Sequence, residues 1–354
     1  MRILILGGTE FVGRALVAEA VAAGHDVTML NRGTKPAIDS RDAQITTLVA
    51  DRRDAAGLRS VLEGAGAGWD AVLDTWSWEP YAVRDTARIL EPLTERYLYV
   101  STRSVYADPL PAGADETAPV VAASADDGDP EGSDPDRLTA VDPSRDYSRV
   151  KAGGERAVLQ SFGERATLLR AGLILGPHEN IGRLPWWLAR MARGGEVLAP
   201  GRPEYGIQYV DARDLAAFAL LLATAENAGG AFDVVSPADR FSMGELLQAC
   251  IAAAAPTDRP TRLRWVDEDL LLSAGVAPWI ELPIWLPQGE DHQAMHESDV
   301  STAVAAGLRH RPLQETVADT WSWLRSIGGA APQRMDRPVL GLDPEKEAAI
   351  LRSP

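Results

Sequence analysis

Near its N-terminus the chain reads Arg2-Ile3-Leu4-Ile5-Leu6-Gly7-Gly8-Thr9-Glu10-Phe11-Val12-Gly13-Arg14-Ala15-Leu16, and this stretch decides the fold. Ile3–Leu6 has the length and composition of a buried strand, and Ala15, Leu16, Ala18 and Ala20 beyond the glycines follow helical spacing. Glycines at a strand-to-helix turn let the backbone approach a pyrophosphate, which then rests on the positive helix N-terminus. A lone glycine turn is equally well a packing turn. Here it closes the first strand of an alternating chain, which favours dinucleotide binding through Gly7, Thr9, Phe11, Val12 and Gly13.

Working outward, strand-like runs recur at Asp26–Leu30, Ile45–Val49, Ala71–Leu73, Tyr97–Val100 and Thr167–Leu169, with helix-length segments such as Val12–Ala23 and Tyr81–Leu90 between them. This alternation predicts an α/β fold with a doubly wound parallel sheet and a smaller C-terminal substrate-binding lobe. After Arg170 the rhythm breaks, with Ile207–Val210 and Ala231–Val235 expected to rejoin the sheet. The expected division is residues 1–172 plus 206–238 for the dinucleotide-binding domain, 173–205 plus 239–330 for the lobe, and 331–354 for a C-terminal tail. Asp343-Pro344-Glu345 in that tail is a helix start, read as a short docking helix. The Asp-, Ala-, Pro- and Gly-rich stretch Ala107–Asp146 offers few apolar anchors; it is read as a solvated excursion or a mobile lid beside the site.

The second strand ends Met29-Leu30-Asn31-Arg32-Gly33, where an acidic side chain would bind the ribose 2′-hydroxyl of NAD. No carboxylate stands there. Arg32 offers a fork for a 2′-phosphate, with Lys35 as a second cation, so NADP(H) is preferred while NAD(H) stays possible. The bland alternative for Arg32 is a solvated surface charge.

Tyr147 and Lys151 head a helical stretch and share one face at a spacing of four. An ammonium beside a phenol favours the tyrosinate, so the phenol can exchange a proton with a substrate oxygen near neutral pH. That spacing is common by chance. Its weight comes from Tyr97–Val100, which runs into Ser101-Thr102 and brings a hydroxyl to the carboxyl edge of the sheet.

Together the glycine turn, Asp51-Arg52-Arg53-Asp54, Ser101-Thr102-Arg103-Ser104-Val105-Tyr106, Tyr147-Ser148-Arg149-Val150-Lys151 and Arg170-Ala171-Gly172-Leu173-Ile174-Leu175-Gly176-Pro177 resemble the extended short-chain dehydrogenase/reductase family, from Met1 to about Ser326. The resemblance implies Tyr147 as acid/base, Lys151 on the nicotinamide ribose and Thr102 orienting the substrate oxygen. It also implies cofactor contacts at Asn31, Arg32, Asp51, Arg52, Ser101, Gly172 and Ile174, with Asp51 near the adenine. Glu10 stands where the family usually has a glycine, a pattern similar to the atypical subgroup of chloroplast stem-loop RNA-binding proteins and many bacterial reductases. Dehydratases of the family place an acid pair after the Thr. Arg103 and Ser104 stand there, so water elimination lacks its acid and base.

Composition narrows the partners to a small-molecule substrate. With 35 basic and 51 acidic residues the formal charge is −16, which repels nucleic-acid backbones and anionic membranes. The longest apolar stretch, Leu215–Ala223, is under half the roughly 20 residues needed to span a bilayer, and the N-terminal apolar run is too short for a secretory signal. A cytoplasmic monomer or homodimer is expected. Cys250, the single cysteine, reads as a buried small hydrophobe. His292 and His296 share a helix face but lack a third zinc ligand, so they read as a surface cluster and no metal is expected. As substrate contacts the candidates are Trp76 and Trp78 after the fourth strand, Arg103, His178 after Gly176-Pro177, and Trp186-Trp187; core packing or a plain loop histidine are the alternatives.

The expected function is hydride transfer between NADP(H) and a small, partly aromatic or apolar carbonyl, imine or alkene. A sugar or nucleotide-sugar epimerase, or a non-catalytic NADP sensor or RNA-binding scaffold, are the alternatives. Ile207 stands where a diphosphate-clamping arginine is common in the family's nucleotide-sugar enzymes, with Arg202 or Arg213 as substitutes from other backbone positions.

Overall fold

A computed structural model of the chain describes residues 1–35, 45–66, 68–128, 147–225, 228–333 and 338–352. In chain order the strands are β1 (Arg2–Leu6), β2 (Asp26–Asn31), β3 (Ile45–Val49), β4 (Trp69–Asp74), β5 (Thr94–Thr102), β6 (Ala166–Ala171), β7 (Leu173–Leu175), β8 (Gly195–Pro200), β9 (Gly206–Ile207), β10 (Tyr209–Asp211), β11 (Gly230–Val234), β12 (Phe241–Ser242) and β13 (Thr261–Val266). The helices are α1 (Phe11–Ala22), α2 (Ala55–Gly64), α3 (Pro80–Leu90), α4 (Tyr147–Phe162), α5 (Arg183–Ala192), α6 (Ala212–Thr224), α7 (Met243–Ala254), α8 (Glu268–Ser273), α9 (Glu290–His296), α10 (Ser301–Ala305), α11 (Leu313–Ser326) and α12 (Pro344–Arg352).

Seven strands form one parallel sheet in the order β11-β6-β5-β4-β1-β2-β3, the Rossmann-like architecture that the alternating sequence predicts. Period-two side chains send Ile3 and Ile5 to one face, where they pack with Leu16 of α1 and Leu215 and Ala219 of α6. Leu4 and Leu6 go to the other face and meet Leu58 of α2, Val83 of α3 and Ala157 of α4. The winding reverses at β1, which lies between β2 and β4, and a crevice opens there at the carboxyl ends of the strands.

A third apolar core lies in the later part of the chain. Leu184, Trp187, Leu188 and Met191 of α5 pack there with Leu246 and Leu247 of α7 and with Val317 and Leu324 of α11. The parallel pair β8 and β13 adds Val197 and Val266 to it. Cys250 is fully buried in this core, as its neighbours imply.

Two expectations about the later chain need correction. Ile207–Val210 does not rejoin the large sheet: β9 pairs antiparallel with β12, while β10 pairs with β7. Gln208 sits at the break, fully buried, its side chain bonded to Ser236 O, Ser298 O and Ser298 N. An apolar run thus stops being a strand where a buried amide staples it to its neighbours. The second concerns the described part of Ala107–Asp146, residues 107–128, which is anchored. Ala107 N donates to Pro119 O, Val121 N to Val105 O and Gly113 N to Glu297 O; Leu110 and Ala125 are buried, and the buried Asp127 takes a bidentate pair of bonds from Arg149 of α4. Residues 129–146 of the expected lid lie outside the described residues.

Candidate active site

A cleft of about 1270 Å³ runs along the carboxyl edge of the sheet. At one end it is lined by Gly7, Thr9, Phe11, Val12 and Gly13 of the first turn and by Asn31 and Arg32 after β2; Thr102, Tyr147, Gly172 and Ile174 follow toward the other end. The turn is built tightly. Gly7 and Gly8 have φ of +120° and +98°, and a Cβ on Gly13 would stand 2.6 Å from Gly8 N, so α1 abuts the turn only because Gly13 lacks a side chain. Glu10 at the N-cap makes no side-chain cap and the first turn of α1 holds no acid, so its amide groups face the cleft without a protein anion on them. Asn31 accepts from Gly33 N at 2.8 Å, shaping the turn that presents the exposed Arg32. Lys35 lines the same end, paired at 3.2 Å with Glu10.

The catalytic candidates are set by close packing of α4. Glycine inside a helix costs about 1 kcal/mol against alanine, and α4 carries two in succession. A Cβ on Gly153 would stand 2.5 Å from Ser124 O, and one on Gly154 2.3 Å from the Tyr99 hydroxyl. This close approach drives Lys151 into the protein, where Nζ donates to Trp76 O at 2.7 Å and Val100 O at 2.6 Å and lies 4.1 Å from the Tyr99 ring centre. Burial pushes its amine down to about 7, against the opposing pull of Asp74 and Glu155. Tyr147, one turn earlier, is half-buried and lines the cleft with Thr102. Thr102 caps the short 3-10 turn Arg103–Val105 by accepting from Ser104 N at 3.2 Å. Beside it Ser101 is buried and off the cleft wall, and its hydroxyl has no partner among the described residues.

Other expected contacts are committed elsewhere. The Arg52 guanidinium lines the cleft but turns inward, bidentate to Asp74 at 2.6 and 2.9 Å, with Nε on Thr86. Asp51 is exposed and off the cleft wall, its carboxylate accepting from Arg53 N. Arg103 lines the cleft yet is buried, with Nε on Asp233 at 3.1 Å and Nη1 on the carbonyls of Ala294 and Met295, the last turn of α9. Trp76 and Trp78 do line the cleft.

His178, Trp186 and Trp187 do not. Gly176 and His178 have φ of +129° and +67°, and the kink carries the imidazole to 5.3 Å from the Trp323 ring, where burial lowers it to about 4. Trp187 is fully buried with Nε1 on Pro283 O, and Trp186 packs over Gly341. His292 and His296 are not a surface cluster either. Both are buried, with rings 5.1 Å apart. His296 Nδ1 accepts from Gln208 N at 3.0 Å, which leaves Nε2–H for Ile284 O, and burial holds its ring down to about 3. Among the described residues no group of three or more His, Cys, Asp or Glu is placed to hold a metal ion.

The substrate end holds residues that sequence reasoning missed. Asn180, Ile181 and Arg183 enter it from the N-terminal end of α5, Trp279 and Leu286 from the loop before α9, Asp291, Ala294 and Met295 from α9, and Pro332 and Gln333 from the C-terminal segment. The Arg183 guanidinium lies 5.0 Å from the Trp279 ring centre. Glu179, fully buried, accepts from Arg183 N and Leu184 N and so starts α5; burial raises it to about 7. Only Asn180 had a local signal, two residues beyond the expected His178.

Residues 3–236 match the model of the NAD dependent epimerase/dehydratase family. The chain belongs to that family. A 2-alkyl-3-oxoalkanoate reductase of Stenotrophomonas maltophilia is 30% identical over 285 residues, 72% of this chain and 76% of that protein. The chloroplast stem-loop binding protein of 41 kDa b from Arabidopsis thaliana is 28% identical over 266 residues, 71% of this chain, and the match spans 63% of that protein's length. Among solved family structures, the Thermus thermophilus UDP-glucose 4-epimerase in complex with NAD superposes with a TM-score of 0.61 at 18% identity, covering 92% of this chain and 99% of the other, a likeness of fold. No helix among the described residues is long and apolar enough to cross a membrane.

Proposed function

We propose that the chain is an NADP(H)-dependent reductase of a small carbonyl, imine or activated alkene with an apolar or partly aromatic body. One observation carries this reading: a single cleft is lined by the glycine turn and Arg32 at one end and by Thr102 and Tyr147 further along. The turn fits a dinucleotide, because the first amides of α1 lack a side-chain cap and Gly13 permits backbone approach. Gly7, Thr9, Phe11, Val12 and Gly13 would hold the pyrophosphate, Arg32 a 2′-phosphate, and Gly172 and Ile174 the nicotinamide side. When bound, the nicotinamide supplies the hydride. Tyr147 gives its phenolic proton to the substrate oxygen and Thr102 orients that oxygen, while Lys151, which does not line the cleft and whose Nζ is held on Trp76 O and Val100 O, favours the tyrosinate only through its field. Trp78, Trp279 and Met295 form apolar walls. The reductase relative, named for a keto-acid substrate, supports this class.

Nucleotide sugars fit less well. Ile207 is buried, Arg213 is bound to Asp211 and Asp319, and neither Arg202 nor Arg213 lines the cleft. We further propose a small-molecule substrate and a monomer or homodimer in the cytoplasm; the −16 charge supports only the absence of nucleic-acid or anionic-membrane partners.

The test is turnover by Tyr147→Phe, which keeps shape and removes the transferable proton. NADPH-dependent reduction of a carbonyl panel should fall by about two to four orders of magnitude, with NADPH affinity nearly unchanged. Wild-type turnover in this variant would refute the role of Tyr147.

A further inference from the structure

The C-terminal segment reaches the same cleft as Tyr147. Pro332 and Gln333 line it, although they follow Trp279 by more than fifty residues in the chain. Contact is close: a Cβ on Gly182, at the N-cap of α5, would stand 2.5 Å from Pro332 O and 3.3 Å from Gln333 Nε2. Gln333 is exposed at the rim, beside the turn that carries Asn180, Ile181 and Arg183 into the substrate end. Its Oε1 accepts from Leu340 N at 3.2 Å, and this bond leaves the Nε2 hydrogens as donors.

Further along, the segment is fastened to the lobe at several points. Gly341 N donates to Ile280 O, and the Trp186 indole fills the space where a side chain on Gly341 would be. Leu340 and Leu342 are buried. On α12, Glu347 is buried, accepts from Arg190 Nε and Leu198 N, and Lys346 bonds Glu281 at 2.7 Å. A buried carboxylate held by both a guanidinium and a backbone amide fixes its helix more firmly than an exposed pair, which contributes little. The tail is part of the lobe's core and does more than dock on it.

We propose that Pro332 and Gln333 form a wall of the substrate site and that Gln333 is a specificity-determining residue, donating from its carboxamide to an oxygen acceptor on the part of the substrate remote from the reacting carbonyl. The inference deepens the reductase reading and rests on it for turnover, but the wall itself does not depend on catalysis.

Two measurements separate the claims. Cys250 is fully buried, so Gln333→Cys provides a single accessible thiol. Its maleimide labelling in the NADP⁺-loaded protein should slow at least threefold when 4-acetylbenzoate fills the cleft; an unchanged rate overturns the wall. In kinetics, Gln333→Leu should lower the kcat/KM preference for 4-acetylbenzoate over acetophenone about fivefold, the size of one hydrogen bond at a wet rim. The methyl ester tells a carbonyl acceptor from a carboxylate, since a carboxylate-specific donor leaves its ratio unmoved. An equal loss on both ketones, or none, overturns the specificity role. Protection of the thiol without any turnover keeps the wall and refutes the reductase reading.

Discussion

The two ends of the cleft are built by different means. At the cofactor end, short motifs that each follow a strand meet in space, because every strand of a parallel sheet delivers its following loop to the same edge. At the substrate end the wall is assembled from residues 102–121, 180–183, 279–295 and 332–333, joined through a separate apolar core and buried polar bonds. The first construction depends on local motifs. The second depends on long-range packing, and its failures should therefore be separable from cofactor binding.

Arg103 is where the two constructions meet, and its loss should give the largest stability effect. Its guanidinium fixes the last-turn carbonyls of α9 to Asp233 on β11. Arg103→Met leaves a buried carboxylate with, among the described residues, only the Tyr106 hydroxyl as side-chain donor, and breaking such a pair costs about 3–5 kcal/mol. Urea unfolding should show that loss while the folded fraction still binds NADPH. If cofactor affinity collapses along with stability, the two ends are not separable.

What was legible in the sequence follows the same line. Gly7, Gly8 and Gly13 announce themselves because they answer a local backbone requirement, and Arg32 and Tyr147 fall on the cleft where strand order and spacing put them, whereas Lys151 lies beneath it. Residue type says less about what a side chain does there: Arg52 and Arg103 line the cleft in the expected loops, but their guanidiniums are bonded to Asp74 and Asp233. The left-handed kink at Gly176 and His178 rotated the expected imidazole away and brought Asn180 in. For Trp186 and Trp187 the sequence leaves pocket wall and core packing open, and core packing holds, because aromatic composition does not say which side of α5 faces the core. Pro332 and Gln333 had no signal at all, since nothing local marks a segment that returns across the molecule.

Acid should loosen the substrate lobe before the sheet. His296 gains a proton near 6.5 in the unfolded chain but only at about 3 in the folded one, because burial and the neighbouring His292 disfavour the charged ring. Between those values the unfolded state binds more protons, so this contribution is complete above pH 6.5 and is lost progressively as the pH falls toward 3. Protection factors, corrected for the pH dependence of intrinsic amide exchange, should fall around Gln208 and 284–298 at pH 5 relative to pH 7, with those of β1, β4 and β5 unchanged. A uniform fall across the sheet would erase the distinction between the two regions.

The most direct test of the account is the smallest in energy. Arg32 stands where an acid would select NAD, so NADPH should bind at least tenfold more tightly than NADH, roughly 1.4 kcal/mol, when followed by nicotinamide fluorescence. Arg32→Ala should abolish that difference by weakening NADPH alone. Equal affinities in the native protein, or a preference for NADPH that survives Arg32→Ala, would contradict the assignment.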